Sequence, residues 1–393
     1  MTEKGIHIGV FSLAYQPFVG GAEIAASEIA SRLPRFRFSC FTRRFDASWP
    51  REEFSGSVQI FRIGRGRKAG NYYGQPFAKI LYAFKAWRAA EKLHQKEPFQ
   101  AIWAIMASYA GFAALFFKLR HPKVKFLLTL QEGDSEEHIL KRVGIFRPFW
   151  RMIFKKADYI QAISSYLMEF AKRHGAACPI QVVPNGVDLQ KFQIPKSKLQ
   201  INSKFQNPNV KTIITTSRLV YKNGVDVLTR AIAELKRIRP PTSDFRLLIV
   251  GGGPEEQKLK QLAKDLDIKD EVEFLGQVPA DRVPEYLLNA DIFVRASRSE
   301  GLGSSFLEAM AAGLPVIGTP VGGIVDFLKD GETGLLIPVD DYKNLAEKIS
   351  ILIKDEKLKE KIARQGKDLA IKRFSWDSVV SEMEKIFTKL CAS

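Results

Sequence analysis

The sequence predicts an α/β protein of two doubly wound domains facing a cleft. Three observations carry this expectation. At 393 residues the chain is too long for one core, since domains run to roughly 100–200 residues. Short apolar runs alternate with helix-like segments almost throughout, which indicates βαβ units and parallel sheet. A polar stretch at about 189–209, with Pro195, Pro208 and several Lys, Asn and Gln, interrupts the alternation, which then restarts.

The elements follow in order. Ile6 to Ser12 reads as a strand, then comes a glycine turn, then a helix over about 22–32. Further strands are expected at 36–42, 58–63, 101–106, 125–130, 159–163 and 181–183. After the polar stretch, strands are expected at 212–216, 246–250, 272–274, 292–295, 316–318 and 334–337, with helices at 224–237, 255–266 and 344–352 between them. Ligands of such sheets sit beyond the carboxyl ends of the strands, which places the expected ligand cleft between the domains.

Composition removes several classes. Hydrophobic residues make up 46% and charged residues 26%, close to soluble globular averages, which excludes a disordered or fibrous chain. No window holds 18 uncharged apolar residues, so a membrane-spanning helix is not expected. The start, Met1-Thr2-Glu3-Lys4 before a strand-like run, lacks an apolar signal region. Cys40, Cys178 and Cys391 are too dispersed for a disulfide framework or a zinc knuckle. A multi-domain cytoplasmic protein is the expectation.

Charge is unevenly placed. Of the net +17, residues 1–200 supply +16, with 31 Lys and Arg against 15 Asp and Glu. Such a one-sided field implies an anionic partner. Residues 141–156 and 79–92 interleave basic and bulky apolar side chains, as a helix lying on a membrane surface does. An ordinary amphipathic helix gives the same pattern. That reading is preferred for 79–92, and both stand for 145–156. No DNA- or RNA-binding motif accompanies the charge, so no nucleic-acid partner is expected.

The most informative chemistry lies in Ser299–Gly313, SEGLGSSFLEAMAAG. Glu300 and Glu308 are eight residues apart, about 80° off-register on a single helix. A better arrangement puts Glu300 on a loop with Gly301 and Gly303, and Glu308 in the first turn of the next helix. Ser305 would be the N-cap, Gly313 would end the helix, and the N–H groups of Ser304, Ser305 and Phe306 would face a phosphate. Ser305 and Glu308 also fit a plain capping box. Arg218 and Lys222, four residues apart after a strand, suit a diphosphate, as fork and point charge; a solvated loop would show the same residues. Gly251, Gly252 and Gly253 end another strand, where glycine permits close backbone approach. Gly20 and Gly21 form a turn before a helix. It matches neither a dinucleotide fingerprint nor a P-loop, and no metal-ligand cluster is evident.

Eight segments, in order, resemble the retaining glycosyltransferases of family 4, which have the GT-B fold of two Rossmann-like domains. They are PFVGGAE (17–23), ADYIQAIS (157–164), PNGVD (184–188), SRLVYKNGVD (217–226), GGGPE (251–255), FLGQV (274–278), EGLGSSFLEAMAAG (300–313) and GETGLLIP (331–338). The resemblance spans nearly the whole chain. It implies an acceptor-binding domain over 1–190 and a nucleotide-sugar-binding domain over 205–374, with a helix at about 375–391 packing back on the first. It also implies roles: Glu308 on the ribose, Arg218 and Lys222 on the diphosphate, and Glu300 facing the donor sugar. Backbone at Gly303–Phe306 would meet sugar or phosphate, Val278 would lie beside the base, and Gly20 and Gly21 would approach the diphosphate. Gly251 and Gly252 belong to the same donor-binding set.

One departure stands out. Where many members carry a histidine after the strand ending at Leu130, this chain has Gln131, followed by Glu132 and Asp134. These three are the candidate acceptor-side residues. The implied activity is metal-independent, retaining transfer of a sugar from a nucleotide-diphosphate sugar to an acceptor hydroxyl. The expected acceptor is a lipid-linked or cell-surface glycan precursor. The expected location is cytoplasmic, peripheral at an anionic membrane surface. A GT-B-like sugar-nucleotide epimerase and a non-catalytic sugar-nucleotide-binding subunit are the alternatives.

Overall fold

The computed structural model describes residues 5–17, 20–66, 76–193, 210–238 and 245–392. Residues 194–209 of the expected linker, and Phe18 and Val19 of the first glycine motif, lie outside them. The chain divides into two compact units, Met1–Asn185 with Trp376–Ser393, and Gly186–Ser375. The second unit therefore begins at Gly186, ahead of the expected boundary at 190.

Unit 1 is built on β1 (Ile6–Phe11), β2 (Phe36–Arg43), β3 (Glu52–Ser55), β4 (Val58–Ile63), β5 (Ala101–Ile105), β6 (Lys125–Leu130), β7 (Tyr159–Ala162) and β8 (Ile180–Val182). The spatial order is β3-β4-β2-β1-β5-β6-β7-β8. Every pairing is parallel except β3 with β4. The sequence reading missed β3: at four residues, with half-exposed and exposed side chains, it shows no apolar run. Its helices are α1 (Gly21–Ser31), α2 (Pro76–Lys96), α3 (Tyr109–Arg120), α4 (Glu136–Val143), α5 (Arg147–Lys156) and α6 (Ser165–Arg173).

Unit 2 carries β9 (Lys211–Thr216), β10 (Phe245–Val250), β11 (Val272–Gly276), β12 (Ile292–Arg295), β13 (Val316–Gly318) and β14 (Leu335–Leu336). They lie in the order β11-β10-β9-β12-β13-β14, all parallel. Helices α7 (Val225–Ile238), α8 (Glu256–Asp265), α9 (Val283–Leu288), α10 (Ser304–Ala311), α11 (Tyr342–Lys354) and α12 (Glu356–Phe374) connect them, and α13 (Trp376–Ala392) returns to unit 1. In each sheet the winding reverses beside the first strand, between β1 and β5 and between β9 and β12. Loops at the carboxyl ends of those strands are where such folds place ligands.

Parallel strands buried on both faces explain the continuous apolar runs; β5 is buried at every residue. In unit 1, α1 and α13 share a core with Ile8, Val10 and Trp103 on one sheet face. On the other face Phe117 of α3 stands 6.2 Å, centroid to centroid, from Phe11. Within that core Phe387 of α13 stands 5.6 Å from Phe36, 5.8 Å from Phe38 and 5.2 Å from Trp103. Phe387→Ala should therefore cost unit 1 about 3–5 kcal/mol. Urea unfolding checks this, and a loss below about 1 kcal/mol would place α13 outside the core.

Candidate functional site

In unit 2 the expected donor residues gather at one sheet edge. Arg218 and Lys222 follow β9, Gly251 and Gly252 follow β10, Val278 follows β11, and Glu300 lies between β12 and α10. Side-chain bonds lock two of these loops and the start of α10 together. Arg295, at the end of β12, donates from Nη1 to Ser305 Oγ at 2.7 Å and from Nη2 to Asn223 Oδ1 at 2.9 Å, and it pairs with Glu300. Asn223 Nδ2 in turn donates to the Arg218 carbonyl at 2.7 Å. Glu300 also accepts from Ser297 Oγ at 3.3 Å. Arg298 grips Asp226 with both Nη atoms, at 2.9 and 2.8 Å, and its backbone N–H donates to the Lys222 carbonyl at 2.7 Å. Burial alone would raise the Asp226 carboxyl, but the Arg298 hydrogen bond and charge hold it below the ordinary carboxylate value.

Two glycines make these loops possible. Gly251 has φ +134°, and a Cβ there would overlap the Ser217 carbonyl, so the glycine run packs against the Arg218 loop. Close approach was expected toward a ligand; at Gly251 it is toward protein. Gly252 accepts from the Leu219 N–H at 3.0 Å, continuing that packing. Gly322, at φ +54°, lies under the Glu300 carbonyl and leaves no room for a side chain.

Helix α10 departs from expectation in detail. Its N-cap is Gly303, at φ 93°, and there is no side-chain cap; Ser305 is already inside the helix. The Ser305 hydroxyl accepts from Arg295 instead, which removes both the serine cap and the capping box. Phe306 is fully buried among Phe293 and Phe327, and its N–H donates to the Gly303 carbonyl at 2.9 Å. Among the described residues, the N–H groups without an acceptor at this helix start are those of Ser304 and Ser305, not Phe306. Gly313, at φ 80°, follows the helix and donates to the Met310 carbonyl, a left-handed C-terminal turn.

Glu308 lies in the second turn, not the first. Its half-buried carboxyl accepts no hydrogen bond among the described residues. Desolvation pushes it up to about 7, against the pull of Lys191 and Arg295. Val278 is half-buried in the loop beyond β11.

Unit 1 carries the other candidates. Gly20 is the extended N-cap of α1, and a side chain there would collide with the Glu23 carboxyl. Gly21 faces open space. After β6, Gln131 and Glu132 are buried. Gln131 Oε1 accepts from Asn185 Nδ2 at 3.1 Å. Glu132 Oε1 accepts the Ala107 N–H at 2.7 Å, while Oε2 is buried without a hydrogen bond among the described residues. Burial raises the Glu132 carboxyl, and the Ala107 bond opposes it. Half-buried Asp134 pairs with Arg142 at 3.1 Å. Of the three, Glu132 thus serves first as an anchor for the loop after β5. Arg295, Asn223 and Arg298 escaped the sequence reading, because charged or polar residues beside a strand look solvated until their partners are known.

Comparison with known proteins shows the family and the fold. The model described as Glycosyltransferase Family 4 matches residues 19–191, and that described as Glycosyl transferases group 1 matches residues 197–369. The chain belongs to this glycosyltransferase family. Over 248 residues it is 30% identical to the GDP-mannose-dependent alpha-(1-6)-phosphatidylinositol monomannoside mannosyltransferase of Mycobacterium tuberculosis, a match covering 61% of this chain and 64% of that protein. The chain thus spans less than two thirds of that relative. Among solved structures, sucrose-phosphate synthase from Thermosynechococcus elongatus superimposes with TM-score 0.82 at 23% identity, over 98% of this chain and 99% of that one. Anabaena HepE, solved with UDP and glucose, gives TM-score 0.77 at 20% identity, over 98% and 100%. These likenesses establish the GT-B fold of two Rossmann-like domains.

Glu308 yields a stability prediction. A carboxyl raised above its unfolded value near 4.5 binds more protons when folded, so wild-type stability falls as pH climbs from about 4.5 to 7. Glu308→Gln should therefore be the more stable protein at pH 8, by about 1–3 kcal/mol, and should match wild type near pH 4. Denaturant melts at the two pH values test this; an equal offset at both would refute the burial argument.

Proposed function

We propose that the chain is a retaining glycosyltransferase that moves a hexosyl group from a nucleotide-diphosphate sugar to an acceptor hydroxyl. The observation that carries the reading is the Glu308 carboxyl, which accepts no hydrogen bond among the described residues, on the same helix as the Ser304 and Ser305 N–H groups, which donate none there. A carboxylate with no hydrogen bond among the described residues suits the two hydroxyls of a ribose, and N–H groups at a helix start suit a phosphate. Arg218 and Lys222, on the adjoining loop, would neutralise the diphosphate as the bond from the sugar anomeric carbon to its phosphate oxygen breaks. Glu300, oriented by Arg295, would contact the donor sugar. The acceptor attacks on the face the diphosphate leaves, and its proton passes to the departing phosphate, which retains the anomeric configuration. Charge on the leaving group is met by these cations and the helix start, so the reaction is expected to run without a divalent metal.

On the acceptor side, we read unit 1 as working at an anionic membrane surface, with a lipid-linked acceptor. Its support is the exposure of apolar residues beside cations. Ile145 is 89%, Phe146 54% and Phe149 56% exposed, while Trp150, Ile153 and Phe154 of the same helical stretch are buried. The segment thus has both a core face and an outer apolar face, flanked by Lys141, Arg142, Arg147 and Arg151. Helix α2, expected as an ordinary amphipathic helix with its aromatics in the core, likewise leaves Ile80, Leu81 and Phe84 exposed. No helix among the described residues is long and apolar enough to cross a membrane.

Two measurements check these readings. A thermal-shift screen of UDP, GDP and ADP sugars, with and without magnesium, should show stabilisation by one donor that Arg218→Ala abolishes and that magnesium does not change. Stabilisation that persists in Arg218→Ala would count against the assigned diphosphate site. Product release without acceptor would instead favour an epimerase. Low-salt sedimentation with phosphatidylglycerol vesicles should pull down wild type and lose the Ile145→Ser/Phe149→Ser protein; equal recovery of both would exclude this face.

A further inference from the structure

A pocket in unit 1 remains unassigned by any of these roles. It has a volume of about 350 Å³ and is lined, among the described residues, by Arg51, Arg62, Ile63, Gly64, Arg65 and Lys85, none of them acidic. Four of six lining residues are therefore cationic. The pocket sits beyond the carboxyl end of β4, on the sheet edge where parallel sheets receive ligands.

The surroundings are built, not a loose scatter of surface charge. Arg62 is 4% exposed. Its Nη2 donates to the Gln16 carbonyl at 2.7 Å and pairs with Glu53, and its Nη1 donates to the Pro50 carbonyl at 3.2 Å. Its Nε is buried with no hydrogen-bond partner among the described residues. Nearby, Arg44 ties together the backbone of the two loops that frame the pocket. It donates to the Trp49 carbonyl at 2.7 Å, the Ala47 carbonyl at 2.6 Å and the Arg65 carbonyl at 3.4 Å. Glu53 offsets one charge, which leaves Arg51, Arg65 and Lys85 as excess cations around one cavity.

Cations that outnumber the carboxylates beside them repel one another, and a bound anion relieves that repulsion. The cavity volume accommodates a phosphoryl group with a small polar head, and guanidinium forks match its oxygens two at a time. We propose that this pocket binds a phosphoryl group carried by the acceptor, so that the acceptor of this transferase is a phosphorylated molecule. The inference rests on reading unit 1 as the acceptor side. Through the Gln16 carbonyl the pocket is joined to the segment that follows β1, at the carboxyl end of that strand.

The test is calorimetric titration of the full chain with two probes: glycerol 3-phosphate, a free phosphomonoester, and glycerophosphoglycerol, the phosphodiester of a deacylated lipid headgroup. Arg51→Gln/Lys85→Gln removes two exposed cations and spares the structural Arg62. At least one probe should bind wild type and Arg218→Ala equally, and bind the double variant about tenfold or more weakly, with an unchanged melting temperature. Binding of the diester alone identifies a lipid headgroup, and binding of the monoester alone a soluble phosphorylated acceptor. Absence of binding, binding that survives the double substitution, or binding lost in Arg218→Ala overturns the inference. UDP and GDP titrations run in parallel separate the two readings. Nucleotide binding without phosphate binding defeats the pocket alone, whereas phosphate binding that tracks the pocket without nucleotide binding defeats the donor site.

Discussion

The loops at the carboxyl ends of β9 and β12 depend on one guanidinium. Arg295 and Glu300 are each 11% exposed at the side chain, so both charges have been taken largely out of water. Removing a buried ion from solvent costs several kcal/mol, and only close pairing and further hydrogen bonds recover it. Arg295 meets that condition by bonding Glu300, Ser305 and Asn223. The same bonds fix the loop after β9, the loop after β12 and the start of α10 relative to one another. A diphosphate needs its cations and N–H groups held within fractions of an ångström, which solvated side chains do not provide. In this protein the rigidity comes from beneath the site.

Arg298 repeats the device one turn of loop away. It stacks over the Tyr221 ring at 4.0 Å and clamps Asp226 at the head of α7. Between them the two arginines convert a run of glycine-rich loops, each soft by composition, into one platform. Glycine supplies the close approach, and arginine supplies the bonds that hold it.

Much of this was legible in the sequence, and the physical reason is periodicity. Strands buried on both faces must be apolar throughout, so β1, β5, β9 and β10 announce themselves. The glutamates at 300 and 308 stood out because their spacing fits no single helix face. What stayed hidden depends on partners distant in the chain. The edge strand β3 exists because β4 offers it a ladder, and its own residues form no apolar run. Ser305 looked like a cap because Arg295 could not be known to claim its hydroxyl. Glu132 looked available because its bond to the Ala107 N–H joins segments 25 residues apart.

Helix α13 adds a constraint of a different kind. Unit 1 is completed by residues 376–392, which are made after the whole of unit 2. A growing chain therefore carries the sheet of unit 1 with the faces of Trp103, Phe36 and Phe38 uncovered while unit 2 is being synthesised. That apolar face must be sheltered from neighbours on the ribosome, or the nascent protein is exposed to aggregation for that interval. Order of synthesis, as much as energetics, thus sets when this protein's first half becomes a finished domain.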